Sequence, residues 1–289
     1  MRTAGGSRPA ARPADRLATL WPADLPHVMG ILNCTPDSFS DGGRFLDTER
    51  AVAHGTTLIE EGAAIVDVGG ESTRPGADPV PAGEEIRRVV PVIRRLRERH
   101  PETILSVDTA KADVASAALE AGADLVNDVT AGRDPGMFPV IARAGAGIVL
   151  MHMRGTPRTM QTDTRYTHVV AEVIRFLRTR MEAAEAAGIR PDAVWLDPGI
   201  GFGKDDAGNI ALIAALPDLS TLGRPVVLGP SRKSFIGRMT GASVGARLPG
   251  TLAALAPALE CPRAVVRVHD AAAARQYLTI AAAIREAAP

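Results

Sequence analysis

The residues that could do chemistry in this sequence sit in a recurring place, at the ends of short apolar runs. Asn33 ends the run 28–33, Asp67 and Glu71 flank the end of 64–70, and Asp108 ends 104–108. Asn127 and Asp128 lie in 124–129, His152 ends 147–152, and Asp197 closes 194–198. Ser231, Arg232 and Lys233 follow 225–229, while Arg267 and His269 end 264–269. Asp108, Asn127 and Asp197 are hydrogen-bonding groups suited to the edge of a planar heterocycle with ring N–H and amino groups. Arg74, Arg232, Lys233, Arg267 and His269 form a cationic set suited to phosphate, which an Arg fork binds bidentately. The position of Ser231 reads as a helix start, where backbone N–H groups and the helix dipole favour an anion. Asp41-Gly42-Gly43, Gly69-Gly70 and Gly199-Ile200-Gly201-Phe202-Gly203 are loops that let backbone approach a ligand or move. Taken singly, each Asp or Asn could be a helix cap or turn former. A polar group at every run end, several inside the run, is more than capping needs.

The eight runs are nearly continuous in Val, Ile and Leu, as strands of a buried parallel sheet are. Between them lie helix-period stripes. Val170, Val173, Ile174, Leu177 and Met181 form one, closed by Gly188 and Pro191; Ile86, Val89, Val90, Ile93 and Leu96 form another, with Pro91 as a kink. Segments 112–121, 251–259 and 271–288 read as short or Ala-rich helices. Eight strand–helix units point to an α/β chain folded as a single (β/α)8 barrel over residues 27–289. Its polar strand ends then converge on one mouth. A doubly wound open sheet is the rival, usually with fewer strands and a nucleotide fingerprint. Residues 1–26, rich in Arg, Ala, Pro and Gly, read as a flexible N-terminal leader without the apolar core of a secretory signal.

Composition excludes several classes. With 33 basic and 33 acidic residues among 289, nothing pulls the chain toward nucleic acid or anionic lipid. No apolar run approaches the about 20 residues that cross a bilayer. Two cysteines, Cys34 and Cys261, make no disulfide scaffold and fit a reducing, cytoplasmic setting. The segment Gly199 to Lys204 is neither a dinucleotide fingerprint nor a Walker A loop, because Asp205 follows Lys204. No His or Cys spacing matches a zinc site.

At these residues the sequence resembles the dihydropteroate synthase family. Met29-Gly30-Ile31-Leu32-Asn33-Cys34-Thr35-Pro36-Asp37-Ser38-Phe39-Ser40-Asp41-Gly42-Gly43 is similar to that family's first signature, and Asp67-Val68-Gly69-Gly70-Glu71-Ser72-Thr73-Arg74-Pro75-Gly76 to its second. Ser106-Val107-Asp108-Thr109, Val126-Asn127-Asp128, Met151-His152-Met153, Asp197-Pro198-Gly199, Ser231-Arg232-Lys233-Ser234 and Arg267-Val268-His269-Asp270 follow in order. The likeness covers residues 28–284. It departs at Cys34, where Val is common, at Pro230, and at Cys261-Pro262-Arg263, where a Gly-Ala turn is usual.

The resemblance implies a reaction in folate biosynthesis. A 6-hydroxymethyl-7,8-dihydropterin diphosphate condenses with p-aminobenzoate, giving dihydropteroate and diphosphate, with Mg2+. It implies that Asp108, Asn127, Met151, Asp197, Phe202 and Lys233 bind the pterin. Asn33, Arg74, Arg267 and His269 would bind diphosphate, with Asn33 also on the metal. Thr73, Pro75, Phe202, Ser231 and Arg232 would line the aminobenzoate pocket, which sulfonamides would contest. Asp41, Arg74, Lys233, Arg267 and His269 would carry catalysis. Loops 35–44 and 72–78 would move, and the assembly would be a homodimer. The alternatives are a pterin-binding methyltransferase, a non-catalytic pterin-binding protein, and a Schiff-base lyase using Lys233.

Overall fold

The structure is a computed structural model that describes residues 12–35, 44–73 and 76–287. Eight strands form its centre: β1 (His27–Asn33), β2 (Ile65–Gly69), β3 (Ile104–Asp108), β4 (Leu125–Asp128), β5 (Gly147–Met151), β6 (Val194–Asp197), β7 (Val226–Leu228) and β8 (Ala264–Val268). Every strand end falls within one residue of the apolar run that announced it. Each strand pairs in parallel with its sequence neighbour and β8 returns to β1, so the sheet closes into a barrel. Helices pack against the outside of this barrel, so both faces of the strands are covered. Hence the strands read as unbroken aliphatic runs rather than alternating ones.

The helices are α1 (Pro13–Ala18), α2 (Arg44–Glu60), α3 (Ala82–Arg99), α4 (Ala112–Glu120), α5 (Met137–Ala144), α6 (Val169–Ala186), α7 (Asp206–Ala214), α8 (Leu216–Ser220), α9 (Ser234–Thr240), α10 (Leu248–Ala253) and α11 (Ala271–Glu286). In α3, Glu84 and Glu85 open the helix and Arg97 and Arg99 close it, as the helix dipole favours; the helix continues through Pro91. At the end of α6, Gly188 adopts φ +95°, its N–H bonds the Glu185 carbonyl at 2.9 Å, and Ile189 returns to bond Ala184. That is the left-handed stop expected of Gly188. The expected helix 251–259 is divided. α10 ends at Ala253, and Ala256–Glu260 forms a 3-10 turn, because Pro257 lacks the N–H that a continuous helix would use.

The reading of residues 1–26 as a flexible leader needs correction over its described part. Residues 12–26 form α1 and a turn that close the barrel at the amino-terminal ends of the strands. Ala14 and Leu17 are buried in the main core. The Ala14 N–H donates to the Gly145 carbonyl at 2.9 Å. Leu17 fits only because Gly147 opens β5: a Cβ there would stand 2.3 Å from Leu17 Cδ1. Arg16 Nε donates to Asp124 Oδ1 at 2.6 Å, and the same buried carboxylate accepts from Arg97 of α3 and from the Leu105 N–H. Trp21 packs edge-on against the fully buried Trp195 at 6.5 Å between ring centroids. The alternation of Pro and Arg hid a short amphipathic element whose partners lie more than a hundred residues away.

Truncating that contact gives a measurable effect. Leu17→Ala leaves a void under β5 and should destabilise the protein by about 2–4 kcal/mol. Urea denaturation reads this, and steady-state constants should stay at wild-type values because the contact lies at the end opposite the mouth.

Candidate active site

Strand register brings the polar ends together. Asn33 pairs with Gly69, Gly69 with Asp108, and Asp108 with Asn127, so these residues share one level around the mouth. Asp197 pairs with Met151 on the opposite arc. One step below, Asp67 lies level with Ser106. Side chains alternate along a strand, so Asp67 and Gly69 share a face of β2 and both meet the barrel axis.

The floor of the mouth is a charged network. Arg267 donates through Nε to Asp67 Oδ2 and through one terminal nitrogen to Asp108 Oδ2, each at 2.6 Å. Asn127 Nδ2 also donates to Asp67 Oδ2, at 3.0 Å. Asp67 Oδ1 and Asp108 Oδ1 are each buried with no hydrogen-bond partner among the described residues. They are acceptors waiting for donors. Burial pushes the Asp108 carboxyl up to about 7, against the pull of Arg267 and with added repulsion from Asp67. Burial likewise raises Asp197, which keeps Oδ1 on the Gly199 N–H at 2.6 Å and faces Lys233. Lys233 falls to about 8 by burial; Asp197 opposes that shift. Its ammonium donates to the Ile200 carbonyl and lies 4.5 Å from the Phe202 ring centroid.

The cationic wall is partly as expected. Ser231 Oγ and His269 Nδ1 lie 2.9 Å apart, and the His269 N–H donates to Ser231 Oγ at 3.2 Å. The two anion pockets implied by the resemblance are therefore contiguous. Ser231 is not at a helix start: α9 begins at Ser234, and Ser231 sits in the preceding turn, where Lys233 N–H bonds the Pro230 carbonyl. Arg232 adopts φ +55°, held by the Thr251 hydroxyl on its N–H and by Arg247 on its carbonyl. Its guanidinium is engaged with Asp270 through two hydrogen bonds. Met151 packs with Val129, Met153, Met160 and Phe202 in a small apolar cluster apart from the main core. Thr73 and Asn33 are half-buried at the rim. Asp41, Arg74 and Pro75 lie outside the described residues, as do most of loop 35–44 and part of loop 72–78.

His152, which as a sequence feature could pack or react, packs. Its ring stands edge-on to Phe176 at 4.9 Å, and burial beside Lys204 lowers its pKa to about 3. Two residues escaped the sequence-based site. Asp67 lies near the end of β2, and its parity with Gly69 is the sequence signal that sets it on the barrel axis. Lys204 stands in the sequence only as the end of a glycine-rich loop, and nothing there shows that it is buried.

Comparison with known proteins shows the family and the fold. Residues 29–269 match the family model described as pterin binding enzyme. The chain is 46% identical over 271 residues to dihydropteroate synthase of Mycobacterium leprae, covering 91% of this chain and 94% of that protein. It is 42% identical to the Synechocystis enzyme of the same name, covering 93% and 98%. Among solved structures, Xanthomonas albilineans dihydropteroate synthase with 4-aminobenzoic acid superposes at a TM-score of 0.84 with 50% identity, over 92% of this chain and 95% of that one. The same enzyme in complex with 7,8-dihydropteroate gives 0.81 with 47% identity, over 92% and 95%.

The raised Asp108 carboxyl predicts a pH signature. A folded-state value near 7, against 3.8 for the unfolded chain, means that stability is full at low pH and is lost as pH rises toward 7. Asp108→Asn removes that loss and keeps an acceptor for Arg267. Its stability relative to wild type should increase by about 1–3 kcal/mol between pH 5 and pH 8, read by denaturation midpoints.

Proposed function

Because this chain belongs to the pterin-binding enzymes and, within them, to the dihydropteroate synthases, we infer that it joins 6-hydroxymethyl-7,8-dihydropterin diphosphate to p-aminobenzoate. The products are 7,8-dihydropteroate and diphosphate. One observation carries the reading to the residues: Asp108 offers a buried oxygen, without a partner among the described residues, beside Asn127 on a floor held by Arg267. A pterin edge, rich in N–H groups, supplies the donors that such acceptors need.

On this reading Asp108, Asn127 and Asp197 hold the ring, while Met151 and Phe202 cover its faces and Lys233 sits beside it. Arg267 and His269, with Arg74, take the diphosphate, and Ser231 receives the aminobenzoate carboxylate near Thr73, Pro75, Phe202 and Arg232. The C–O bond to diphosphate breaks with its electron pair on the departing oxygen. The arylamine nitrogen forms the C–N bond at the pterin methylene and then loses a proton to solvent. An arylamine is largely unprotonated at neutral pH, so no residue needs to act as base. The chain's contribution is alignment and charge: cations meet the leaving diphosphate, and carboxylates face the ring where positive charge develops.

Mg2+ is the proposed cofactor. Among the described residues no cluster of three or more His, Cys, Asp or Glu forms a metal cage. Mg2+ commonly takes one or two protein oxygens and completes its shell with substrate phosphates and water. Asn33, whose amide oxygen lies at the mouth beside Gly69, fits that pattern. Bound with the substrate, the ion neutralises charge on the leaving group.

The test is diphosphate release by purified protein with both substrates and Mg2+. Arg267→Lys keeps a cation but loses the planar fork, and should lower kcat/KM by on the order of a hundredfold. No turnover by folded protein that still binds pterin would overturn the synthase reading in favour of a non-synthase relative.

We also propose a cytoplasmic homodimer. No helix among the described residues is long and apolar enough to cross a membrane. Both cysteines are free and buried, and burial raises their thiols to about 12 and 11, as suits a reducing compartment. Ile280 and Ile284, one turn apart on α11, are 57% and 68% exposed. Large apolar side chains so placed favour a second copy of the chain. Sedimentation equilibrium should show a dimer that Ile284→Glu dissociates.

A further inference from the structure

Lys204 is the most deeply buried lysine among the described residues, with 1% of its surface exposed. Its Nζ lies 2.9 Å from the Gly199 carbonyl, 2.9 Å from the Phe202 carbonyl, 3.2 Å from the His152 carbonyl and 3.0 Å from His152 Nδ1. A neutral amine has two N–H donors and would turn its lone pair on the third carbonyl. Three carbonyl oxygens around one nitrogen match the three N–H donors of an ammonium, and the His152 ring nitrogen lies alongside. The close approach depends on glycine: a Cβ at Gly199 would stand 1.9 Å from the His152 carbonyl oxygen and 3.3 Å from Lys204 Nζ.

The contacts all end on two segments. His152 is the residue after β5, and Gly199 and Phe202 belong to the loop after β6. Other bonds tie the same loop from outside. Gln161 donates to the Gly201 carbonyl at 3.2 Å, and the Tyr166 hydroxyl donates to the Gly203 carbonyl at 2.8 Å. Asn209 Oδ1 accepts from the Gly201 N–H at 2.6 Å. Phe202 itself projects into the apolar cluster with Met151 and Met160 and against Lys233. Loop 199–203 has three glycines at positive φ and would not hold one shape alone.

Charge and geometry compete at Lys204. Burial pulls its amine well below the usual range, with Lys233 and Arg154 adding to that pull and Asp197 opposing it. The three carbonyl oxygens around Nζ favour the protonated form.

We propose that Lys204 is a positioning residue for the synthase reaction: its ammonium pins loop 199–203 to the end of β5 and fixes Phe202 over the ring site. The proposal rests on the synthase reading above. Lys204 acts on the site through the loop and Phe202.

The experiment compares Lys204→Met with Leu17→Ala, a matched loss of stability at the far end of the barrel. Lys204→Met should raise KM for pterin diphosphate and for p-aminobenzoate by roughly tenfold, with kcat changed less than about threefold. Leu17→Ala should leave both KM values alone. In a Phe202→Ala background, Lys204→Met should add little further, because its target is gone. KM values no more altered than those of Leu17→Ala, or full additivity with Phe202→Ala, would overturn the proposal. If Lys204→Met does not fold, Tyr166→Phe releases the loop from its outer side. It should raise both KM values by about threefold, and wild-type values would count against the idea. A wild-type protein without turnover defeats the synthase reading instead, and the two failures are therefore distinct.

Discussion

The structure depends on how a charged cluster is kept in the middle of an aliphatic barrel. Burying an unpaired carboxylate or guanidinium costs several kcal/mol, and breaking a buried pair by removing one partner costs about 3–5 kcal/mol. Arg267 meets that constraint by reaching from β8 to Asp67 on β2 and Asp108 on β3. These strands come within reach of β8 only because the sheet closes, which sets β8 and β2 on either side of β1. An open sheet would leave the guanidinium facing no carboxylate. The network does not satisfy itself completely, since one oxygen of Asp67 and one of Asp108 have no partner among the described residues. That incompleteness is what a binding site requires: groups already stripped of water and oriented, whose remaining hydrogen bonds a ligand completes.

The two ends of the barrel divide labour. At the amino-terminal ends of the strands, Asp124 is saturated by Arg16, Arg97 and the Leu105 N–H, and Leu17 and Trp195 fill the interior. Those contacts are complete and serve stability. At the carboxyl ends, the side chains of Asp108, Asp197, Lys233 and Arg267 are held under electrostatic tension. Burial raises two carboxyls and lowers one amine, so the charged forms persist only through one another. Strain of this kind is where chemistry is prepared, and the barrel tolerates it because the opposite end is closed tightly.

Loops carry the same logic outward. Glu71 accepts from the Val80 N–H at 2.9 Å and shares Lys111 with the buried Glu85, which ties the two ends of the loop after β2 to each other and to α3. The loop after β6 is tied by Lys204 from beneath. In both cases a lysine placed among acceptors substitutes for regular secondary structure, which a glycine-rich ligand-facing loop cannot form.

Much of this was determined by the sequence itself. Unbroken aliphatic runs located all eight strands because a parallel sheet covered on both faces has no polar side to alternate with. Polar residues at the ends of those runs marked Asp108, Asn127, Asp197, Arg267 and His269 as a group gathered at one mouth, because a barrel places every strand end there. Only the tertiary structure decided which of them touch. Arg267 pairs with carboxylates 200 and 159 positions away, and Ser231 lies against His269 rather than at a helix start. The docking of residues 12–26 and the burial of Lys204 were equally hidden. A side chain's partners depend on what the closed sheet brings within 3 Å, and local pattern encodes face and period but not the identity of a distant neighbour.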